Sequence, residues 1–78
     1  MTVRVEEIRN ILEKADTMAD MDTLANEVPL TEQGVDSLDS ANIYLLLEEK
    51  YEIKIPDGDM GQLDSINNIV TYLNKKVM

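Results

Sequence analysis

The spacing of apolar residues at the two ends of the chain limits the fold more than any other feature. Near the N-terminus, apolar side chains recur every three or four positions, which is typical of an amphipathic helix: Val5, Ile8, Ile11, Leu12 and Ala15. Near the C-terminus the same spacing returns in a second stripe: Ile66, Ile69, Val70 and Leu73. We predict a first helix over about residues 3–15 with Thr2 as N-cap. A last helix should follow Ser65 as N-cap, with Lys75 and Lys76 at the negative end of its dipole.

The middle of the chain predicts one more long helix. It begins at Asp36, whose side chain can cap the first turn, and runs to about Lys50. The stretch "KYEIKI" alternates like a strand but has no partner strand, so we predict an extended loop, and "PDGDM" predicts a short helix. Residues 16–35 lack a clean period, so we predict a long loop that can include a short helical turn. A loop of that length must be held against the domain by its apolar residues, which are Met18, Met21, Leu24, Val28 and Leu30. The prediction is an all-α single domain over residues 1–78, a bundle of three main helices plus one short helix, with a long loop between helices I and II.

Size and cysteine content exclude several classes of protein. A domain of 78 residues buries roughly 60% of the surface of its unfolded chain, which allows one modest core and no deep enzyme cleft. Without cysteine no disulfide can form, which fits a reducing compartment. No apolar run approaches the ~20 residues of a membrane span, and the N-terminal segment lacks the apolar region of a signal peptide. We expect a cytoplasmic monomer with no membrane span.

The net charge of −9 is unevenly distributed. Between Asp16 and Glu49 there are nine acidic residues and no Lys or Arg. Such a surface repels nucleic acid and attracts proteins that carry a basic patch. The alternative is that the acidic residues only keep the domain soluble. The complete lack of bases in this stretch favours a docking surface.

The second helix has two apolar faces where a bundle helix needs one. One face consists of Ile43, Leu46, Leu47 and Tyr51. The opposite side carries Leu38, Ala41 and Leu45, framed by Asp36, Asp39, Glu48 and Glu49. A helix in so small a domain buries one face, so the second either extends the core or remains exposed for a partner. An apolar strip with an acidic rim is typical of a transient protein-binding surface.

Ser37 stands at the start of this helix, in a chain that has no histidine. A nucleophilic serine needs a general base, and Lys50 lies nearly four turns away along the helix, so we expect no catalytic residues. The plain alternative is that Ser37 only favours a helix start, as an Asp-Ser pair also does in "LDSI". The acidic stretch "DGDMGQLD" lacks the register of an EF-hand loop, so we predict a turn there and no metal site.

The segment "LTEQGVDSLDSANIYLLLEEKYEIKIPDGDM" resembles the core of an acyl carrier protein. The shared pattern is Gly-x-Asp-Ser-Leu, a helix ending in Leu-Glu-Glu-x-aromatic, then Ile-x-Ile-Pro-Asp. In that family the serine is a substrate: a phosphopantetheinyl transferase attaches the 4′-phosphopantetheine of coenzyme A, and acyl groups are carried on the arm as thioesters. The resemblance therefore implies that Ser37 is the attachment site and that Asp36 and Leu38 help the transferase to recognise it.

The resemblance also implies partners and a site for the cargo. The partners are enzymes of fatty-acid or related lipid or polyketide biosynthesis that transfer, condense, reduce or dehydrate acyl groups through basic patches. The residues assigned to docking are Asp39, Ala41, Asn42, Leu45, Glu48 and Glu49. The residues assigned to an acyl cleft are Ile43, Leu47, Ile55, Met60, Leu63 and Ile69.

Two positions depart from the family pattern. Asn42 stands where the docking helix usually has a glutamate, and Gln33 stands where a leucine usually precedes the glycine. These departures favour a carrier for a specialised pathway. A carrier of aminoacyl or peptidyl groups, and an acidic adaptor that is never modified, remain as alternatives.

Overall fold

The computed structural model describes residues 2–15 and 22–77, apart from the side chains of Ser37 and Val77. Three α-helices are present: α1 (Val5–Lys14), α2 (Ser37–Tyr51) and α3 (Ile66–Val77). Two 3₁₀ helices, Leu30–Gln33 and Asp57–Gln62, lie before and after α2. The described residues contain no strand. The loop predicted over "KYEIKI" begins later than predicted, because Lys50 and Tyr51 still belong to α2; residues 53–56 are neither helix nor strand. The predicted all-α bundle of three main helices and one short helix is confirmed.

The core is built from the apolar stripes that the sequence predicts. In α1 the buried residues are Ile8, Ile11 and Leu12, and in α3 they are Ile66, Ile69, Tyr72 and Leu73. The face of α2 that turns inward contributes Ile43, Leu47 and Tyr51. Leu24 and Leu30 anchor the loop between α1 and α2, whereas Met18 and Met21 lie outside the described residues.

The start of α1 differs from the prediction. The helix begins at Val5 after Arg4, not at residue 3 after Thr2. The Glu7 carboxylate accepts a hydrogen bond from the Arg4 amide at 2.7 Å. One residue earlier, the side-chain amide of Asn74 in α3 bonds the backbone of Val3, accepting from its N–H at 2.8 Å and donating to its carbonyl at 3.3 Å. These bonds hold Val3 against α3, so the helix starts only after it.

The starts of α2 and α3 agree with the predictions. The Asp36 carboxylate accepts from the amide of Asp39 at 2.9 Å, and the Ser65 hydroxyl accepts from the amide of Asn68 at 3.1 Å. Each bond satisfies an amide of the first helical turn that has no partner within the helix. α2 ends at Tyr51 because the next residue, Glu52, adopts a left-handed conformation with φ of 54°.

The long loop is fixed by polar side chains. Gln33 bonds backbone groups on both sides of a turn: its Oε1 accepts from the amide of Ala25 at 2.6 Å, and its Nε2 donates to the carbonyls of Ala25 and Val28, each at 2.9 Å. Arg9 of α1 donates to the carbonyl of Leu24 at 3.0 Å. The loop is thus held to the first 3₁₀ helix and to α1.

Candidate functional site

The first 3₁₀ helix places the start of α2 at the surface. It ends at Gly34, whose φ of 97° lies in the left-handed region that glycine adopts without strain. The next residue, Val35, is buried, and its amide donates to the carbonyl of Leu30 at 3.1 Å. Asp36 and Leu38 are exposed, so Ser37 lies between two exposed neighbours as the first residue of α2.

The side chain that caps this helix start is that of Asp36. The contrast with Ser65 is direct, because Ser65 is buried and its hydroxyl is itself the cap of α3. Ser40 lies one turn further along α2 and is half-buried. The three Asp-Ser pairs therefore occupy different environments, and only Ser37 follows a capping aspartate at a helix start.

Four of the predicted docking residues, together with the predicted recognition residue Leu38, share one exposed side of α2. Leu38 and Leu45 are 78% and 57% exposed, and they are the large apolar residues of the described chain that remain in solvent. Ala41, Asn42 and Glu49 are also exposed, and each lies three or four positions from Leu38 or Leu45. The five residues therefore form a continuous strip on the helix. We call these five residues the α2 strip.

The other two predicted docking residues are partly used by the fold. Glu48 is half-buried, and its Oε2 accepts from the backbone amide of Ile55 at 2.7 Å. This bond ties the extended segment after α2 back to the helix. Asp39 is also half-buried, and its Oδ2 is buried without a hydrogen-bond partner in the described structure. The acidic rim presented to a partner therefore depends more on Glu49 and Asp36 than on Glu48 and Asp39.

A cavity of about 210 Å³ lies where α2 meets the two 3₁₀ helices and the segment before α3. Three of the predicted cleft residues line it: Ile43, Met60 and Leu63. The other three lie in the core and do not line this cavity: Leu47, Ile55 and Ile69. Half of the predicted cleft residues therefore line the cavity, and the other half are packed in the core.

Sequence reasoning missed the polar part of the cavity wall, which consists of Thr31, Ser40, Tyr44 and Asp64. Burial, and secondarily the negative charge of Asp64, raise the pKa of Tyr44 above its ordinary value of 10.0. The signal was available, because Ser40, Ile43 and Tyr44 are three or four positions apart on one side of α2. Asp64 could not be found this way, since it approaches α2 only through the tertiary fold.

The residues that the structure describes contain no group of acidic side chains that could hold a metal ion. None of the described helices is long and apolar enough to cross a membrane. The helix start, the exposed strip and the cavity are thus the features on which a function can be built.

The comparisons with known proteins agree with this geometry. Residues 6–73 match the family described as "Phosphopantetheine attachment site". The acyl carrier protein of Campylobacter hominis is 34% identical over 68 residues, 87% of this chain and 86% of the relative. The chain belongs to the acyl carrier protein family. The protein of the same name from Campylobacter jejuni is 41% identical over 56 residues, 70% of this chain and 73% of the relative. With that of Campylobacter concisus the identity is 45%, and the alignment spans 54% of each chain.

Solved structures show the same fold. A carrier protein from Agrobacterium tumefaciens, crystallised with an engineered Bradyrhizobium japonicum glycine:[carrier protein] ligase and ATP, is 30% identical with a TM-score of 0.76, covering 95% of this chain and 97% of the other. A butyryl-ACP from the actinorhodin polyketide synthase of Streptomyces coelicolor has a TM-score of 0.78 at 21% identity, over 99% of this chain and 93% of the other.

Family membership decides the general role. This acyl carrier protein is a carrier and not an enzyme, and its cofactor is phosphopantetheine. Carriers of this family act with partner enzymes, as the complex with the ligase illustrates. The chain has no histidine that could act as a general base, and a carrier needs none.

Proposed function

We propose that Ser37 carries the 4′-phosphopantetheine arm. The observation that carries this proposal is that Asp36 supplies the capping bond of α2, so that Ser37 is not needed as a cap. Its neighbours Asp36 and Leu38 are exposed and leave room for a transferase and for the arm. The N-terminal end of the helix dipole favours the negative charge of the attached phosphate. The group therefore fits the residues present.

The same geometry supports roles for the flanking residues. Asp36 holds the first turn of α2 and thereby fixes the position of the serine, while the exposed Leu38 offers an apolar contact beside it. The arm brings the thiol on which acyl groups are carried. The chain then needs to keep the helix start ordered and accessible, and it needs no nucleophile, base or metal for that task.

Intact mass spectrometry tests the assignment. The unmodified protein is incubated with coenzyme A and a phosphopantetheinyl transferase, and we expect the mass to increase by one phosphopantetheine. Ser37→Ala should abolish the increase. Ser40→Ala, which removes the hydroxyl one turn along the same helix and also follows an aspartate, should leave it intact. Full modification of Ser37→Ala would overturn the assignment.

We further propose that the cargo is an acyl group of lipid or related polyketide biosynthesis in a specialised pathway, carried by a cytoplasmic monomer. The α2 strip supports docking to enzymes with basic patches, because its two exposed leucines lie beside Glu49 and Asp36 and the chain has a net charge of −9. Such a surface is unsuited to nucleic acid. The neutral amide of Asn42 within the strip favours a partner different from the generic enzymes.

Rates with partner enzymes test the role of Asn42. Rim charges act mainly on association, and an exposed pair contributes about 0.2 to 1 kcal/mol. Asn42→Glu should therefore speed turnover with generic fatty-acid enzymes by a few fold at low salt and slow a dedicated partner. Equal rates for the two proteins across a panel of enzymes would show that the position does not select partners.

A second cargo class, an aminoacyl group, is favoured by one observation. The structural neighbour at 30% identity is the carrier partner of a glycine ligase. Mass spectrometry of the arm on protein purified from its source distinguishes the two classes. A fatty or polyketide acyl group would support the first, and an amino acid would support the second.

A further inference from the structure

The cavity beside α2 is lined by residues of two chemical kinds. The apolar lining residues are Leu30, Ile43, Met60 and Leu63, and the polar lining residues are Thr31, Ser40, Tyr44 and Asp64. Ser40 is three residues, about one turn, from the serine proposed to carry the arm. The cavity therefore lies close to the proposed attachment residue.

The volume limits the length of the cargo. An apolar cavity of about 150 Å³ holds benzene, with six carbon atoms, so about 210 Å³ accommodates about eight. Beyond the cavity, Leu47 and Ile69 are fully buried, with 0% exposure. A longer chain would have to separate these packed side chains, which costs free energy because protein interiors contain few voids.

The polar lining residues can distinguish between cargoes of equal length. A purely apolar chain offers no hydrogen bond to Ser40, Tyr44 or the exposed Asp64, and where it displaces water from the half-buried Ser40 and Tyr44 the lost hydrogen bonds are not replaced. A chain with a hydroxyl or amino substituent can donate a hydrogen bond to Asp64. One oxygen of that carboxylate already accepts from the side-chain amide of Asn68 at 2.6 Å, which holds it in place.

The position of Tyr44 supports the same reasoning. Its hydroxyl is protonated at neutral pH, as in any tyrosine, and burial and the charge of Asp64 raise its pKa further. The hydroxyl can therefore donate to a carbonyl oxygen while Asp64 accepts from a substituent. Donor and acceptor both line the cavity, together with the apolar residues.

Resting on the proposed attachment at Ser37, we propose that this cleft selects a short acyl group, of up to about eight carbons, that carries a hydrogen-bond-donating substituent, with Tyr44 and Asp64 as its specificity residues. The shared chemistry is a hydroxyl or amino group on a short chain. The apolar lining residues contact the hydrocarbon, and Tyr44 and Asp64 form hydrogen bonds with the substituent.

The absence of cysteine gives an experiment that does not depend on the transferase. Ser37→Cys introduces the one thiol of the chain, to which four iodoacetamide-linked arms are coupled: octanoyl, 3-hydroxyoctanoyl, 3-aminooctanoyl and dodecanoyl amides. Intact mass confirms the coupling, and thermal unfolding is measured for each product. Because the arm is attached chemically, this experiment measures cargo selection even if the transferase does not modify Ser37. Failure of the proposed attachment and failure of cargo selection can therefore be distinguished.

We expect either the hydroxy or the amino arm to raise the unfolding midpoint above that of the octanoyl arm by about 4 °C, the change produced by one hydrogen bond in a domain of this size. The dodecanoyl arm should give no further increase over octanoyl. The double variant Tyr44→Phe/Asp64→Ala, which removes both the donor and the acceptor, should abolish the advantage of the polar arm. The matched control Tyr51→Phe/Asp57→Ala changes a tyrosine and an aspartate outside this cavity and should retain it.

The arm with the larger shift identifies the substituent as hydroxyl or amine. Equal midpoints for the octanoyl arm and both polar arms would overturn the proposal, as would an advantage that persists in the double variant. A dodecanoyl arm that stabilises the protein more than the octanoyl arm would overturn the limit on length.

Discussion

Removal of the Gln33 side chain should destabilise the domain far more than removal of its neighbour. Gln33 makes three hydrogen bonds to loop backbone, at 2.6, 2.9 and 2.9 Å. Each contributes about 0.5–1.5 kcal/mol net of the bonds to water that it replaces. Because the site is half-buried, water replaces part of what is lost in Gln33→Ala. We expect a loss of about 2 kcal/mol in the free energy of unfolding.

This loss is large for so small a protein. At about 0.05–0.15 kcal/mol per residue, the whole domain is stabilised by about 4–12 kcal/mol. A loss of about 2 kcal/mol should lower the midpoint of thermal unfolding by about 8–16 °C. Gln33→Leu, which restores the residue usual in the family, should also be destabilised, since leucine cannot bond the amide or carbonyls of the loop.

Urea unfolding followed by circular dichroism measures the change, with Glu32→Ala as the control because Glu32 is exposed in the same 3₁₀ helix. Amide hydrogen exchange adds a local readout: the amide of Ala25 donates to Gln33 and should exchange faster in Gln33→Ala. If Gln33→Ala and Glu32→Ala unfold at the same urea concentration, the three bonds do not stabilise the fold and the reasoning is wrong.

Three further predictions concern charge and pH. Glu48→Ala should lower the free energy of unfolding by about 1.5–3 kcal/mol, because it removes a charged acceptor from a loop amide. The exposed Glu49→Ala should change it by less than about 0.5 kcal/mol, and equal urea midpoints for the two variants would contradict this. Burial and a hydrogen bond to a carboxylate raise the pKa of Tyr72 to about 12 from 10.0, so its contribution is complete below pH 10 and is lost as the pH rises through 12. Unfolding midpoints between pH 10 and 12 should therefore fall more steeply for the native chain than for Tyr72→Phe, and parallel curves would refute the assignment. Added salt should raise the thermal midpoint, because residues 16–49 contain nine acids and no base, and a midpoint independent of salt would show that this repulsion is negligible.

The helices could be predicted because their signals are local. The stripes of α1 and α3 each present one apolar face, and a helix with one such face has one way to pack. The caps at Asp36 and Ser65 could be predicted for the same reason, since each bonds an amide three residues away. The attachment motif is also local, so the proposal for Ser37 needs only the sequence and the cap.

What could not be predicted depends on contacts between distant residues. Asn74 fixes Val3 across 71 positions, and this moved the start of α1. Glu48 faces solvent in a helical projection, but the segment after α2 returns and places the amide of Ile55 against it. Asp64 reaches the cavity in the same way. In each case a polar side chain finds its partner only after the helices have packed.

The two apolar faces of α2 now have a physical explanation. Ile43 and Leu47 face the core, and Glu48 supports the fold from the flank of the same helix, so the fold uses that side fully. Leu38 and Leu45 do not pack in the core. Exposed leucines favour aggregation, and a contiguous exposed apolar patch usually marks a surface that binds a partner. Their exposure beside the proposed attachment serine is therefore best explained by enzymes that cover them during transfer. The same division explains why Gln33 and Glu48 should affect stability, whereas Asn42 and Glu49 should affect the choice and rate of partners.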